Sequence, residues 1–163
     1  MPILMKIQSG LQMAQNLNDF LQKNMSKQYA TESGTKMHLL LQGIVIDTIN
    51  GNRGNNELVS IISNKPELKQ FFVSDAKTEV PIAGIIHGVF VSRRIDRLLI
   101  NDKDKTVVFM DYKTDLNKTE FYDKYKKQLL EYAELLRSAY PKYKINGFIL
   151  WTHDWQLEQV VSV

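Results

Sequence analysis

Residues 107–115 read VVFMDYKTD, an apolar run that ends in an acid, a phenol and a base. A strand's period of two puts Val107, Phe109, Asp111 and Lys113 on one face and Val108, Met110 and Tyr112 on the other. A carboxylate and an ammonium then project side by side from the end of a core-like strand. Such a pair can hold a metal ion with the carboxylate while the ammonium handles a water or a developing negative charge. It can equally be a plain ion pair where a strand reaches solvent. Upstream, SRRIDRLLI sets a second acid, Asp96, between Ile95 and Leu98. An unpaired carboxylate there carries a desolvation cost, relieved by a salt bridge with Arg94 or Arg97 or by convergence with Asp111 on a metal. Glu79, in KTEVPI, is a third acid and reads first as a solvated edge residue.

Farther on, Tyr125, Gln128 and Tyr132 recur at steps of three and four, a polar and aromatic stripe beside the apolar stripe Leu129, Ala133 and Leu136. A glutamine within an inward-packing strip has either a specific hydrogen-bonding duty or a place at the rim of the core. His38 lies one helical turn after Gly34, whose missing Cβ admits another backbone; taken alone it reads as a core histidine. The chain contains no cysteine. Disulfides, thiolate zinc sites and cysteine nucleophiles are thereby excluded, and any metal must be held by carboxylates, imidazole and carbonyls, donors that suit a hard cation.

The elements that must position these residues follow from periodicity. Residues 3–24 carry Ile3, Ile7, Leu11, Ala14, Leu17 and Leu21 at helical spacing, a bracing helix. A second helix is expected over 30–49, a loop in NGNRGNN, and short helices over 56–63 and 66–72, the latter opening at Pro66. KTEVPIAG, HGVFVSRRIDRLLI and KTVVFMDYKT then read as strands, the last two joined by NDKD at hairpin length, which makes a three-strand meander. A long helix over 119–140 stops at Pro141, and INGFILWT and LEQVVSV supply two more strands. The order predicts one α/β or α+β domain over 1–163, with a central mixed sheet, residues 1–29 as the brace and 30–163 as the core. At 163 residues, 44% apolar and 24% charged, the chain can build a real core. A net charge of +3 admits a polyanionic partner without requiring one. No apolar run is long enough to span a bilayer, so the expected setting is the cytoplasm.

Taken in order, GTKMH, TEVPI, RRIDRL, VVFMDYKT, YKKQLLEYAELLRSAYP and INGFILWT resemble the C-terminal nuclease domain of the RecB and AddA helicase-nucleases, in the PD-(D/E)XK superfamily, nearest the AddA branch. The resemblance covers residue 30 to the end and includes the closing Trp151 and Thr152. It implies a restriction-endonuclease-like core and a Mg2+-dependent deoxyribonuclease, an exonuclease, in which Mn2+ can substitute. His38, Asp96, Asp111 and the Tyr112 carbonyl would hold the metal and Lys113 would be the catalytic lysine. Gln128 and Tyr132 would orient DNA and the lysine region, and Arg93, Arg94, Arg97, Lys124 and Lys127 would meet phosphates. The implied partners are DNA, as single-stranded ends, a helicase motor and an AddB- or RecC-like subunit. One departure is that the family's glycine before the motif Asp is replaced by Arg93 and Arg94. The chain has no Walker A pattern and hence no motor of its own. The rivals are a noncatalytic DNA-binding or scaffold module that kept the fold, and an iron–sulfur exonuclease of the same superfamily, which would need cysteines.

Overall fold

The structure is a computed structural model that describes residues 31–163. The chain divides into Met1–Lys36, of which only the helical residues 31–36 are described, and Met37–Val163. The helix expected over 3–24 lies outside the described residues. Helix α1 runs through residues 31–42 and stops well short of the expected residue 49. Gly43 follows it, and Ile44, Val45 and Ile46 are β-branched and lose χ1 freedom in a helix. They go extended instead: Val45 bridges Arg53, and the Ile46 amide donates to the Phe72 carbonyl at 2.6 Å. Gly54, at φ +112°, closes this loop where a Cβ would lie 2.5 Å from the Ile44 Cδ1 methyl, so only glycine fits.

Helix α2 (Asn56–Ser63) is capped by Asn55, whose side chain accepts from the Leu58 amide. Helix α3 spans only Pro66–Lys69, shorter than the expected 66–72. Past its end the Phe71 and Phe72 amides bond three residues back, to Leu68 and Lys69, and this tighter winding accompanies burial of both rings.

Strands β1 (Lys77–Ile86), β2 (Val89–Asn101), β3 (Thr106–Lys113), β4 (Lys144–Trp151) and β5 (Gln156–Ser162) form one sheet in the order β1-β2-β3-β4-β5. All neighbours are antiparallel except β3 and β4, which helix α4 (Lys118–Ala139) connects as a parallel crossover. The fold is therefore α+β with a mixed five-stranded sheet, consistent with a restriction-endonuclease-like core. His87 and Gly88, both at positive φ, make the two-residue turn between β1 and β2.

Alternation along the strands feeds two cores. Val107 and Phe109 pack with Leu129, Ala133 and Leu136 of α4, while Met110 and Tyr112 pack with Leu41, Leu58, Leu68 and Phe72. The sheet is thus covered on both faces. Phe109 lies across its register partner Gly147, where an added Cβ would fall 2.3 Å from the ring. Gly147→Ala is accordingly expected to destabilise the fold by about 1–3 kcal/mol through overpacking, read as a lower urea midpoint at unchanged m-value.

Alternation breaks at the bulge in the β4–β5 ladder, where Val160 and Val161 both join the α4-side core, and again in β2. Ile95 and Leu98 both join the α4-side core although they are three residues apart. Between them, Asp96 and Arg97 both reach partners away from α4, as described below. Opposite this irregularity Glu79 takes φ +53°, rare for a side-chain-bearing residue. The β2–β3 ladder runs from Asn101↔Thr106 to Arg97↔Met110 and goes no further, while β3 stays paired with β4 through Lys113↔Trp151. The two strands fork at Asp96 and Asp111.

Candidate functional site

The fork is filled by side chains. Asp96, nine-tenths buried, turns Oδ2 across the gap to accept from the Tyr112 amide at 2.7 Å, replacing the missing ladder bond. Its Oδ1 lies 3.4 Å from His38 Nδ1, and His38 Nε2–H donates to the Tyr112 carbonyl at 3.0 Å. His38 sits on α1, and its ring stands edge-on to the Tyr112 ring at 5.4 Å. Burial works to lower the His38 pKa, but the Asp96 hydrogen bond and the charges of Asp96 and Asp111 outweigh it, and the net shift is upward. Three of the four expected metal-binding groups, His38, Asp96 and the Tyr112 carbonyl, therefore converge at one point.

Asp111 stands on the α4 side of the fork, 3% exposed. Its Oδ2 meets the Lys113 ammonium as an ion pair outside hydrogen-bond geometry, and its Oδ1 faces the Tyr132 hydroxyl at 3.4 Å. Burial pushes the Asp111 carboxyl up, to about 6, against the pull of Lys113 and with the help of the Asp96 charge. Lys113 is not at an exposed strand end, as its position in the sequence suggests; its side chain is 13% exposed. The ammonium donates to Gln128 Oε1 at 3.1 Å and lies over the Tyr125 ring, 4.2 Å from its centre.

Gln128 and Tyr132 complete a chain of hydrogen bonds. With Oε1 taken by Lys113, Gln128 Nε2 donates to the Tyr132 hydroxyl, which has the Arg94 carbonyl at 3.0 Å as a further acceptor. The amide orientation is thus set from both ends. Burial and the Asp111 charge raise the Tyr132 pKa, so it remains a phenol and a donor. Tyr125 donates to Asp115. Behind Lys113, the Thr152 amide binds the Lys113 carbonyl at 2.9 Å, and buried Trp151 anchors its indole N–H on Glu158 at 3.0 Å.

Glu79, which the sequence presents first as a solvated edge residue, is half-buried. The structure brings its carboxylate together with His38 and Asp96, with ligand atoms all within 4.8 Å of one another. The unusual φ at Glu79 goes with this placement, and no sequence pattern announces it. Asp111 lies outside that trio but acts on His38 through its charge.

The expected DNA-facing residues divide. Lys124 and Lys127 are exposed on α4, and Arg94 is 68% exposed, paired with Glu79 at 3.4 Å. Arg93 reaches Glu131 on α4 at 2.8 Å. Arg97 has to be removed from this group: it is 1% exposed and faces α1 and α3, so no phosphate reaches it. Neither Arg94 nor Arg97 forms the salt bridge with Asp96 weighed above.

The donor set fits a hard divalent cation. His38, Glu79 and Asp96 offer a nitrogen and carboxylate oxygens in one place, and the Tyr112 carbonyl adjoins them. No family model matches the chain, and no curated protein matches it in sequence.

Proposed function

We propose that the protein is a metal-dependent DNA nuclease of the RecB and AddA type, with Mg2+ as the physiological ion and Mn2+ as a substitute. The single observation that carries this reading is the convergence of His38, Glu79 and Asp96 at a sheet fork whose other wall is the buried Asp111–Lys113 pair. A bound divalent cation would supply charge neutralisation at the phosphate and make water more acidic. His38, Glu79, Asp96, Asp111 and the Tyr112 carbonyl would hold it.

The remaining work falls to the chain's own groups. Lys113, held by Gln128 and by the Tyr125 ring, presents an ammonium where negative charge builds on the phosphorus centre. Tyr132 and Gln128 keep that ammonium and Asp111 in fixed relation. Burial keeps water away from the pair, which strengthens its field. Arg94, Lys124 and Lys127 would contact the DNA backbone, and a cytoplasmic setting beside DNA, with a helicase motor and an AddB- or RecC-like subunit as partners, belongs to the same proposal. The coarser observation behind the setting is that no described helix is long and apolar enough to cross a membrane.

Two outcomes follow. Saturating Mg2+ or Mn2+ should raise the melting temperature, because an ion bound only by the folded state at a hundred times its Kd adds about 2.7 kcal/mol. Differential scanning calorimetry with and without EDTA reads this, and an unchanged melting temperature at millimolar Mn2+ contradicts the site. The chain alone should bind DNA weakly and lose that binding steeply with salt, because its net charge is only +3 and its basic cluster is interspersed with Asp115, Glu120, Asp123 and Glu131. Fluorescence anisotropy with a labelled single strand at 50 and 200 mM salt tests this; tight, salt-resistant binding to blunt duplex would mark a self-sufficient nuclease instead.

A further inference from the structure

Arg97 is a buried cation with no carboxylate in ion-pair reach among the described residues. Its guanidinium is held by neutral acceptors instead. Nη2 donates to the carbonyls of Leu41 at 2.8 Å and Ile44 at 3.4 Å, at the C-terminal end of α1. Nη1 reaches the Phe71 carbonyl at 3.4 Å, just past α3, and Nε donates to the Tyr112 hydroxyl at 2.8 Å. Phe72 lies under the cation, 4.2 Å from ring centre to Cζ. Helix C-termini carry negative potential, so a cation is favoured at the end of α1.

The partners matter more than their number. Arg97 follows Asp96 in β2, and Leu41 lies three residues after His38 on α1. One rigid fork therefore ties the strand that carries Asp96 to the helix that carries His38. Its third arm holds the side chain of Tyr112, whose backbone binds both Asp96 and His38. We infer that Arg97 is a positioning residue: it docks the end of α1 on β2 and thereby sets the His38 imidazole against Asp96 and the Tyr112 carbonyl. The consequence for cation binding rests on the proposal that His38 and Asp96 share an ion. The α1–β2 clamp itself does not. Lysine cannot replace it, because an ammonium lacks the planar fork that spans carbonyls from separate segments.

The test is a double-mutant cycle on the full chain, using Arg97→Met, His38→Ala and the double variant, with Mn2+ affinity measured by isothermal titration calorimetry. Groups that orient metal ligands typically change affinity about 10–100-fold when removed, and Arg97→Met is expected to fall in that range. In the His38→Ala background Arg97→Met should cost almost nothing more. Additive losses, or wild-type affinity in Arg97→Met, overturn the inference. A second readout needs no metal: the hydrogen-bonded His38 imidazole N–H proton, assigned by its absence in His38→Ala, should be visible in the wild type by NMR and lost in Arg97→Met. Its persistence there overturns the inference as well. If Arg97→Met does not fold, Arg97→Lys serves in both measurements, with the same losses expected. A wild type that binds no Mn2+ contradicts the cation site alone, and the imidazole resonance still decides the role of Arg97.

Discussion

Lys113→Ala should slow DNA cleavage by roughly a hundred- to a thousandfold, the cost of about 2.7–4 kcal/mol seen when one donor to a developing oxyanion is removed. The side chain is held in place by Gln128 Oε1 and the Tyr125 ring, so its charge is preorganised rather than recruited during the reaction. The substitution also strips the counter-charge from Asp111, whose carboxyl burial already pushes up. Without metal the variant should therefore melt at a shifted temperature, and Lys113→Met, which fills the space, separates lost volume from lost charge. Single-turnover cleavage at saturating Mg2+ isolates the chemical step. A wild-type rate under those conditions removes Lys113 from the mechanism.

Asp96→Asn should abolish both the cation-induced rise in melting temperature and cleavage, the latter by roughly a thousandfold or more, since the metal supplies several kcal/mol of charge stabilisation. Asparagine retains an oxygen that can accept from the Tyr112 amide, so the fork should stay closed and the metal-free protein folded. What is lost is the negative charge facing His38 and Glu79. Calorimetry with and without Mn2+, followed by a cleavage assay, distinguishes this from unfolding. A variant that still responds to Mn2+ and still cuts would place the ion elsewhere.

Residues whose geometry is set by their own element were legible from the sequence. Strand alternation placed Asp111 and Lys113 together, and helical spacing placed Gln128 and Tyr132 on the stripe that now contacts both. His38 depended on where α1 packs, which no local pattern encodes; only the family resemblance pointed to it. Arg97 reads in the sequence as one of a basic cluster with Arg93 and Arg94, but it shares a face of β2 with Leu99 and is turned into the core beside α1 and α3. The placement of Glu79 beside His38 and Asp96 goes with a positive φ opposite the break in β2, which cannot be read from KTEVPI. The overlong second helix reflects an ambiguity of composition. LLLQGIVI suits a buried helix or a buried strand, and the tertiary contacts of Val45 and Ile46 made the choice.

The central claim, a cation-dependent phosphodiesterase centre at the β2–β3 fork, is tested most directly by incubating the protein with end-labelled single-stranded DNA in Mg2+, in Mn2+ and in EDTA, beside Lys113→Met. The expected result is slow cleavage of the single strand with either ion, none in EDTA, and a loss of roughly a hundredfold or more in Lys113→Met. Cleavage that persists in EDTA, or that is equal in wild type and Lys113→Met, would contradict it.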